Sequence, residues 1–285
     1  LHLTGNLKIP SSITSIGKHA FSGCSSFTGD LIIPDNVTNV GFSSFSNCSG
    51  FNGLLKISSS IKTIQNDTFY GCSKLNGELN IPLNVTFIGS GSFFGCCNFE
   101  GELIVPDSVT FIGSFAFSFC QGFSALKLSD NIECIEENAF SHCYGLCGSL
   151  LIPQSTRLIG KKCFYNCLKF DQLIIQSDFI KIEDEAFELT HFSNIFYDGL
   201  SEPFCGSNVF PENQKISVPS GYDHEEFCGI RIKKENSTDS KLKIIIIVLS
   251  CCLAVSIIIT IVVIIVKKKN SSKQLNTEPL ITINK

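Results

Sequence analysis

The residues in this chain best equipped for chemistry are its cysteines, 15 among 285 residues. Seven of them recur every 23 or 24 residues: Cys24, Cys48, Cys72, Cys96, Cys120, Cys143 and Cys167. Such a column could form disulfides, hold metal ions or fill space. A free cysteine packs as a small apolar side chain, and this column keeps step with columns of leucine, isoleucine and phenylalanine. The packing reading is therefore preferred. Cys143/Cys147 and Cys163/Cys167 have a spacing used by zinc ligands, but one member of each pair belongs to the column and no histidine recurs beside them. Cys97, Cys134, Cys147 and Cys163 stand outside the column, and their spacing leaves their state open. His2, His19, His142, His191 and His224 are scattered. No nucleophile elbow, phosphate loop, HExxH motif or paired carboxylate set is present. Glu183-Asp184-Glu185 reads as a solvated turn. The expectation is a non-enzymatic chain with no cofactor, no metal and no small-molecule substrate.

The element that positions the cysteines is a repeat. Gly5, Gly29, Gly53, Gly77 and Gly101 open successive copies every 24 residues, and after a slip of one residue Gly148 opens another. A strict period of this length marks a stack of coils. Within the copy GELIVPDSVTFIGSFAFSFCQGFS, Leu103 and Val105 are two apart, the spacing of inward side chains on a strand. Pro106 then ends the strand by removing a donor. Val109 and Ile112 form a second apolar pair, and Ala116–Phe117 closes the motif. The phenylalanine column has no exception through Phe21, Phe45, Phe69, Phe93, Phe117, Phe140, Phe164 and Phe187. One coil cannot enclose its own ring, whereas coils stacked about 4.8 Å apart cover one another.

The pattern L-x-I-P-x-x-V-T-x-I-G-x-x-A-F-x-x-C-x-x-F resembles the BspA-type (Treponema-type) leucine-rich repeat and recurs eight times over residues 1–193. In the last copy Thr190 replaces cysteine and a charged run appears, so that copy reads as the end of the array. The resemblance implies a right-handed leucine-rich repeat solenoid with short parallel β-strands. It also implies a surface protein, as in oral bacteria and mucosal protists, with roles in adhesion to host cells and extracellular matrix. The expected partner is then a protein of the host surface or matrix. The alternatives are a receptor signalling or internalised through its tail, and a passive antigenic coat. The chain contains no methionine and opens inside a repeat, which reads as an array truncated at its N-terminus.

Function in a solenoid belongs to its outward rows. Between the inward strand residues lie Ile32, Ile104, Leu151 and Ile174, which the period-two reading turns outward. A second row, just before the second inward isoleucine, becomes apolar over four coils at Phe87, Phe111, Cys134 and Leu158. A contiguous apolar stripe reads as a binding patch, with a kinked segment packing these rings inward as the other possibility. Asn36, Asn47, Asn66, Asn84 and Asn236 each begin an N-x-S/T sequon and become glycan acceptors in a secreted protein.

The 24-residue rhythm stops after Phe192. Residues 194–230 read as a C-terminal cap whose two thiols, Cys205 and Cys228, would pair in an oxidising exterior. Residues 231–243 read as a juxtamembrane stalk, and 244–266 is an uncharged apolar run of 23 residues. As a helix that run is about 34 Å long, enough to span a bilayer core. Residues 267–285 then form a cytoplasmic tail. Net charge is −4 overall, but residues 1–243 carry 17 Lys and Arg against 25 Asp and Glu, while the tail carries five lysines against one glutamate. The acidic repeat region argues against nucleic acid as a partner, and the basic tail suits an anionic inner leaflet. The expected topology is single-pass type I in the plasma membrane, with the repeats outside.

Overall fold

The computed structural model of the chain describes residues 3–232. They form a parallel β-solenoid in which every pairing between coils is parallel, with a register shift at Gly148/Ser149. Nine phenylalanines, from Phe21 to Phe210, stack in a continuous column, with ring centroids 5.2–5.9 Å apart. From Phe45 to Phe187 these rings are fully buried. In the first coil Leu7, Ile9, Phe21 and Cys24 are only partly buried.

Two strand ladders run along the stack. The leucine ladder includes the pairs Leu31–Ile32 with Leu55–Lys56 and Glu102–Ile104 with Ala125–Lys127. It becomes one four-stranded sheet only at Cys147–Ile152, Lys169–Ile175, Asn194–Tyr197 and Ile216–Ser217. The longer sheet comes from the second apolar pair. It joins Thr63–Ile64, Phe87–Ile88, Phe111–Ile112, Cys134–Ile135, Leu158–Ile159, Lys181–Ile182 and Phe204–Cys205. Prolines such as Pro34, Pro82 and Pro106 cut the leucine strands short. The second pair has no proline, so its ladder runs unbroken through seven coils.

The ladders also run past residue 193. Asn194–Tyr197 pairs with Lys169–Ile175, Phe204–Cys205 pairs with Lys181–Ile182, and Phe210 stacks on Phe187 at 5.2 Å. The segment expected to be a cap from 194 onward is thus a ninth coil. Its columns hold Tyr197 and Cys205 where earlier coils have isoleucine, and this change of residue type hid the repeat although Phe210 continues the phenylalanine column. The closing element is the antiparallel hairpin Glu226–Phe227/Ile230–Arg231, which places Phe227 4.8 Å from Tyr197 and 6.1 Å from Phe210. Arg231, expected to open the stalk, belongs to this hairpin. None of the 23 elements among the described residues is a helix, and none is long and apolar enough to cross a membrane. The run 244–266, the tail 267–285 and residues 233–243 lie outside the described residues.

The cysteine column is built into this stack by hydrogen bonds as well as by packing. Cys72 Sγ donates to the Phe45 carbonyl at 3.1 Å, Cys96 to Phe69 at 3.2 Å, Cys120 to Phe93 at 3.1 Å and Cys167 to Phe140 at 3.1 Å. Each thiol reaches back one coil to the backbone of the core ring. Thr190 occupies the same position, and its hydroxyl donates to the Phe164 carbonyl at 2.5 Å. The position therefore holds a small side chain with a donor, and threonine meets that requirement as cysteine does. Burial pushes these thiols up, Cys48 and Cys167 to about 12, so they stay protonated and remain donors at neutral pH.

Candidate interaction surface

The strands of the seven-stranded sheet alternate cleanly. Ile88, Ile112, Ile135 and Ile159 are buried, while Phe87, Phe111, Cys134 and Leu158 are each half-buried. Period-two geometry thus sends one side chain of each pair into the core and leaves the other on the outer face. The register Phe87↔Phe111↔Cys134↔Leu158 puts the four on successive coils in one line. Phe87 and Phe111 stack face to face, with centroids 4.8 Å apart and planes 4° from parallel. Each ring covers one face of the other and leaves an edge to solvent. Burial first, and then Glu136, Glu183 and Glu133, raise the Cys134 thiol to about 11, so the middle of the row is a neutral S–H. Lys181 and then Phe204, which is largely exposed, continue the row on the next two coils. In the sequence alone nothing ties Phe204 to this surface. Its register with Lys181 becomes visible only once the ninth coil is recognised.

The other outward row is weaker. Ile32 is 48% exposed and Ile104 50% exposed, but each is paired across the ladder with a lysine, Lys56 and Lys127 respectively. Leu151 is 37% exposed. Ile174, expected on the same outward row, is only 5% exposed. It lies in register between Leu151 and Phe196, and Phe196 is itself buried. This burial removes Ile174 from the candidate contacts.

The structure gives the sequon asparagines local roles. Asn36 and Asn84 occupy the same turn position two coils apart. The Asn36 side-chain amide donates to the Ile13 carbonyl, and that of Asn84 donates to the Ser59 carbonyl at 3.1 Å. Asn131, which is in no sequon, makes the same bond to Asp107 at 2.9 Å. The position clips one coil to the preceding one. Asn47 and Asn66 are exposed, and Asn66 accepts the Ser90 N–H at 3.1 Å. Asn236 lies outside the described residues. Cys205 and Cys228 are joined by a disulfide with Cα atoms 5.3 Å apart, tying the terminal hairpin to the last strand of the long sheet.

A third aromatic row runs along the turns on either side of the core phenylalanine. Tyr70 stacks on Phe94 at 4.7 Å, Phe94 meets Phe119 at 5.5 Å, Phe119 stacks on His142 at 4.5 Å and His142 meets Tyr165 at 5.5 Å. Its sequence signal was a phenylalanine standing where other coils have glycine or asparagine, as Phe119 does against Gly71, Gly95, Asn47 and Asn166.

A family model for the BspA type leucine rich repeat region matches in six copies over residues 3–101 and 96–217. No curated protein matches the chain. Among solved structures, a leucine-rich repeat protein from Bacteroides ovatus is similar at 24% identity and a TM-score of 0.46, covering 72% of this chain and 69% of that one. The leucine-rich repeat protein of T. pallidum is similar at 21% identity and a TM-score of 0.45, over 57% and 67% of the two chains. A leucine-rich cell surface protein from Faecalibacterium prausnitzii is similar at 20% identity and a TM-score of 0.38, over 76% and 79%. With repeat after repeat matched from residue 3 to residue 217, the chain belongs to the BspA-type leucine-rich repeat family.

Proposed function

We propose that this protein is a cell-surface adhesin that binds a protein of a host cell or of the extracellular matrix. Leucine-rich repeat folds generally mediate protein–protein interaction, and this family is typically non-enzymatic. The observation that carries the reading is the half-buried apolar row Phe87–Phe111–Cys134–Leu158, held in register on an unbroken parallel sheet. An apolar line fixed by the sheet loses little conformational entropy on binding, which is how a small number of aromatic anchors comes to dominate an interface. The apolar run 244–266 would anchor the chain as a single-pass type I protein, and many copies on one membrane would bind by avidity.

The test is adhesion. Cells displaying the full chain behind a signal peptide are offered surfaces coated with purified matrix proteins. At least one protein should retain them, and a Phe87→Ser/Phe111→Ser variant expressed at equal surface density should weaken soluble binding of that protein about thirtyfold. Binding to every matrix protein unchanged by the double variant would remove the row from the interface. A tail deletion that leaves adhesion intact separates an adhesin from a receptor acting through residues 267–285.

A further inference from the structure

We propose that the turn edge of the solenoid carries a second docking surface, one for an arginine- or lysine-rich segment of a partner protein. It is built from the aromatic row Tyr70, Phe94, Phe115, Phe119, His142 and Tyr165. It involves none of the residues of the Phe87–Phe111 row.

Phe115 and Phe119 have φ of 59° and 61°, in the left-handed region, yet they are 41% and 37% exposed. A bulky residue is rare there. The equivalent positions one coil earlier hold glycine, Gly91 and Gly95, with φ of 60° and 69°. One coil later they hold Asn138 and His142, with φ of 55° and 60°. Asparagine and glycine suit this backbone. Two exposed rings set against local preference in a single coil are the kind of departure that marks a functional site.

The turns at residues 136–142, 160–166 and 183–189 carry six acidic residues and two lysines. Of the lysines, Lys162 is taken up by Glu185 at 3.0 Å. Glu137 flanks Phe115 directly, since its carbonyl accepts the Phe115 N–H at 2.9 Å. Glu188 takes the place of Tyr165 on the following coil, where its carbonyl accepts the Asn166 N–H at 3.0 Å. The repeat region as a whole is acidic, with 17 basic residues against 25 acidic over residues 1–243.

Rings of these turns already bind cations within the chain. Lys18 Nζ sits 3.9 Å above the Phe42 ring, and Lys162 Nζ lies 5.2 Å from the Tyr165 ring. Among the described residues no lysine lies over Phe115 or Phe119, and although His142 stacks on one face of Phe119, both rings stay exposed. A guanidinium stacks on such a face and keeps its N–H groups free for a carboxylate such as Glu137. His142 is held in place by Asn166, whose Nδ2 lies 3.1 Å from His142 Nδ1, and by the Tyr144 hydroxyl at 2.9 Å.

The experiment uses the full chain in a non-ionic detergent and a labelled peptide alternating arginine and glycine, followed by fluorescence anisotropy. A citrulline–glycine peptide of the same length is the uncharged control. Phe115→Asn/Phe119→Asn keeps the charge and installs residues that this backbone accepts. The arginine peptide should bind, the citrulline peptide should bind at least tenfold more weakly, and the double variant should lose at least tenfold while its thermal midpoint stays level or rises. Glu137→Gln should flatten the salt dependence, and Phe87→Ser/Phe111→Ser should bind the peptide as the parent does. Equal binding of both peptides would point to a neutral ligand and overturn the proposal. Unchanged binding by the double variant would do the same. So would a fall in its midpoint, since the rings would then be present for packing.

Discussion

A buried thiol in this solenoid is both volume and donor, and the two roles can be separated at Cys120. Its S–H bonds the Phe93 carbonyl, which also accepts the Cys96 N–H within its own turn at 3.1 Å. Cys120→Ala removes volume and donor and should cost about 1–2 kcal/mol. Cys120→Ser keeps a donor, as Thr190 does, and should cost less than the alanine variant. Urea unfolding of the pair decides this, and equal costs would leave packing as the whole role. The thiols also set an alkaline limit. In the folded chain burial holds Cys48 and Cys167 near 12, whereas an exposed thiol titrates near 9. Below pH 9 folded and unfolded chains are equally protonated. Between pH 9 and 12 only the unfolded chain releases these protons, so stability should fall across that window. Denaturant midpoints measured at pH 8 and pH 10.5 test the sign. The core ring is the larger single contribution. Phe117 is fully buried between Phe93 at 5.2 Å and Phe140 at 5.3 Å, and Phe117→Ala should cost about 3–5 kcal/mol in the same unfolding assay. The column of cysteines was legible as packing from its period alone. Its hydrogen bonds were not, because an acceptor on the preceding coil has no sequence signature, although Thr190 in the last cysteine position hinted at one.

At the level of elements, the leucine strands were legible because leucine and isoleucine alternate there with a proline after them. The longer sheet was less so, since each of its strands is only two residues long and a two-residue alternation is too short to be seen as a period. The same sheet explains why Phe87 and Phe111 could be placed on an outward row while Ile174 could not. A step of two residues predicts the face, but only the neighbours Leu151 and Phe196 decide whether that face is covered. The ninth coil was missed because Tyr197 and Cys205 replace isoleucine at their positions, although Phe210 keeps the phenylalanine. Its closure rests on the Cys205–Cys228 bond across 23 residues, worth about 3 kcal/mol in the chain-entropy model. In a solenoid each coil stabilises chiefly its neighbours, so Cys228→Ser should act locally. Hydrogen exchange at Glu226–Arg231 and in the ninth coil should speed up, while amides around Phe117 keep the protection of the parent. Uniform loss of protection along the stack would show one cooperative unit instead.

Over the whole molecule, charge divides the chain into an acidic repeat region and a basic end, with the uncharged run 244–266 between them. Charge alone does not orient that run. Lys267, Lys268 and Lys269 follow it, but Arg231, Lys233, Lys234, Lys241 and Lys243 precede it. The disulfide supplies a better argument, because a bond between Cys205 and Cys228 persists in an oxidising compartment and is reduced in the cytosol. On that ground we propose that the repeats lie outside and residues 267–285 inside. The expectation can be checked with a signal peptide and epitope before Leu1 and a second epitope after Lys285. The first should be labelled on intact cells and the second only after permeabilisation. In the surface fraction, Cys205 and Cys228 should resist alkylation until a reductant is added. Labelling of the C-terminal epitope alone on intact cells would invert the topology. The repeats would then face a reducing compartment, the Cys205–Cys228 bond would be lost there, and adhesion through Phe87 and Phe111 would have no surface on which to act.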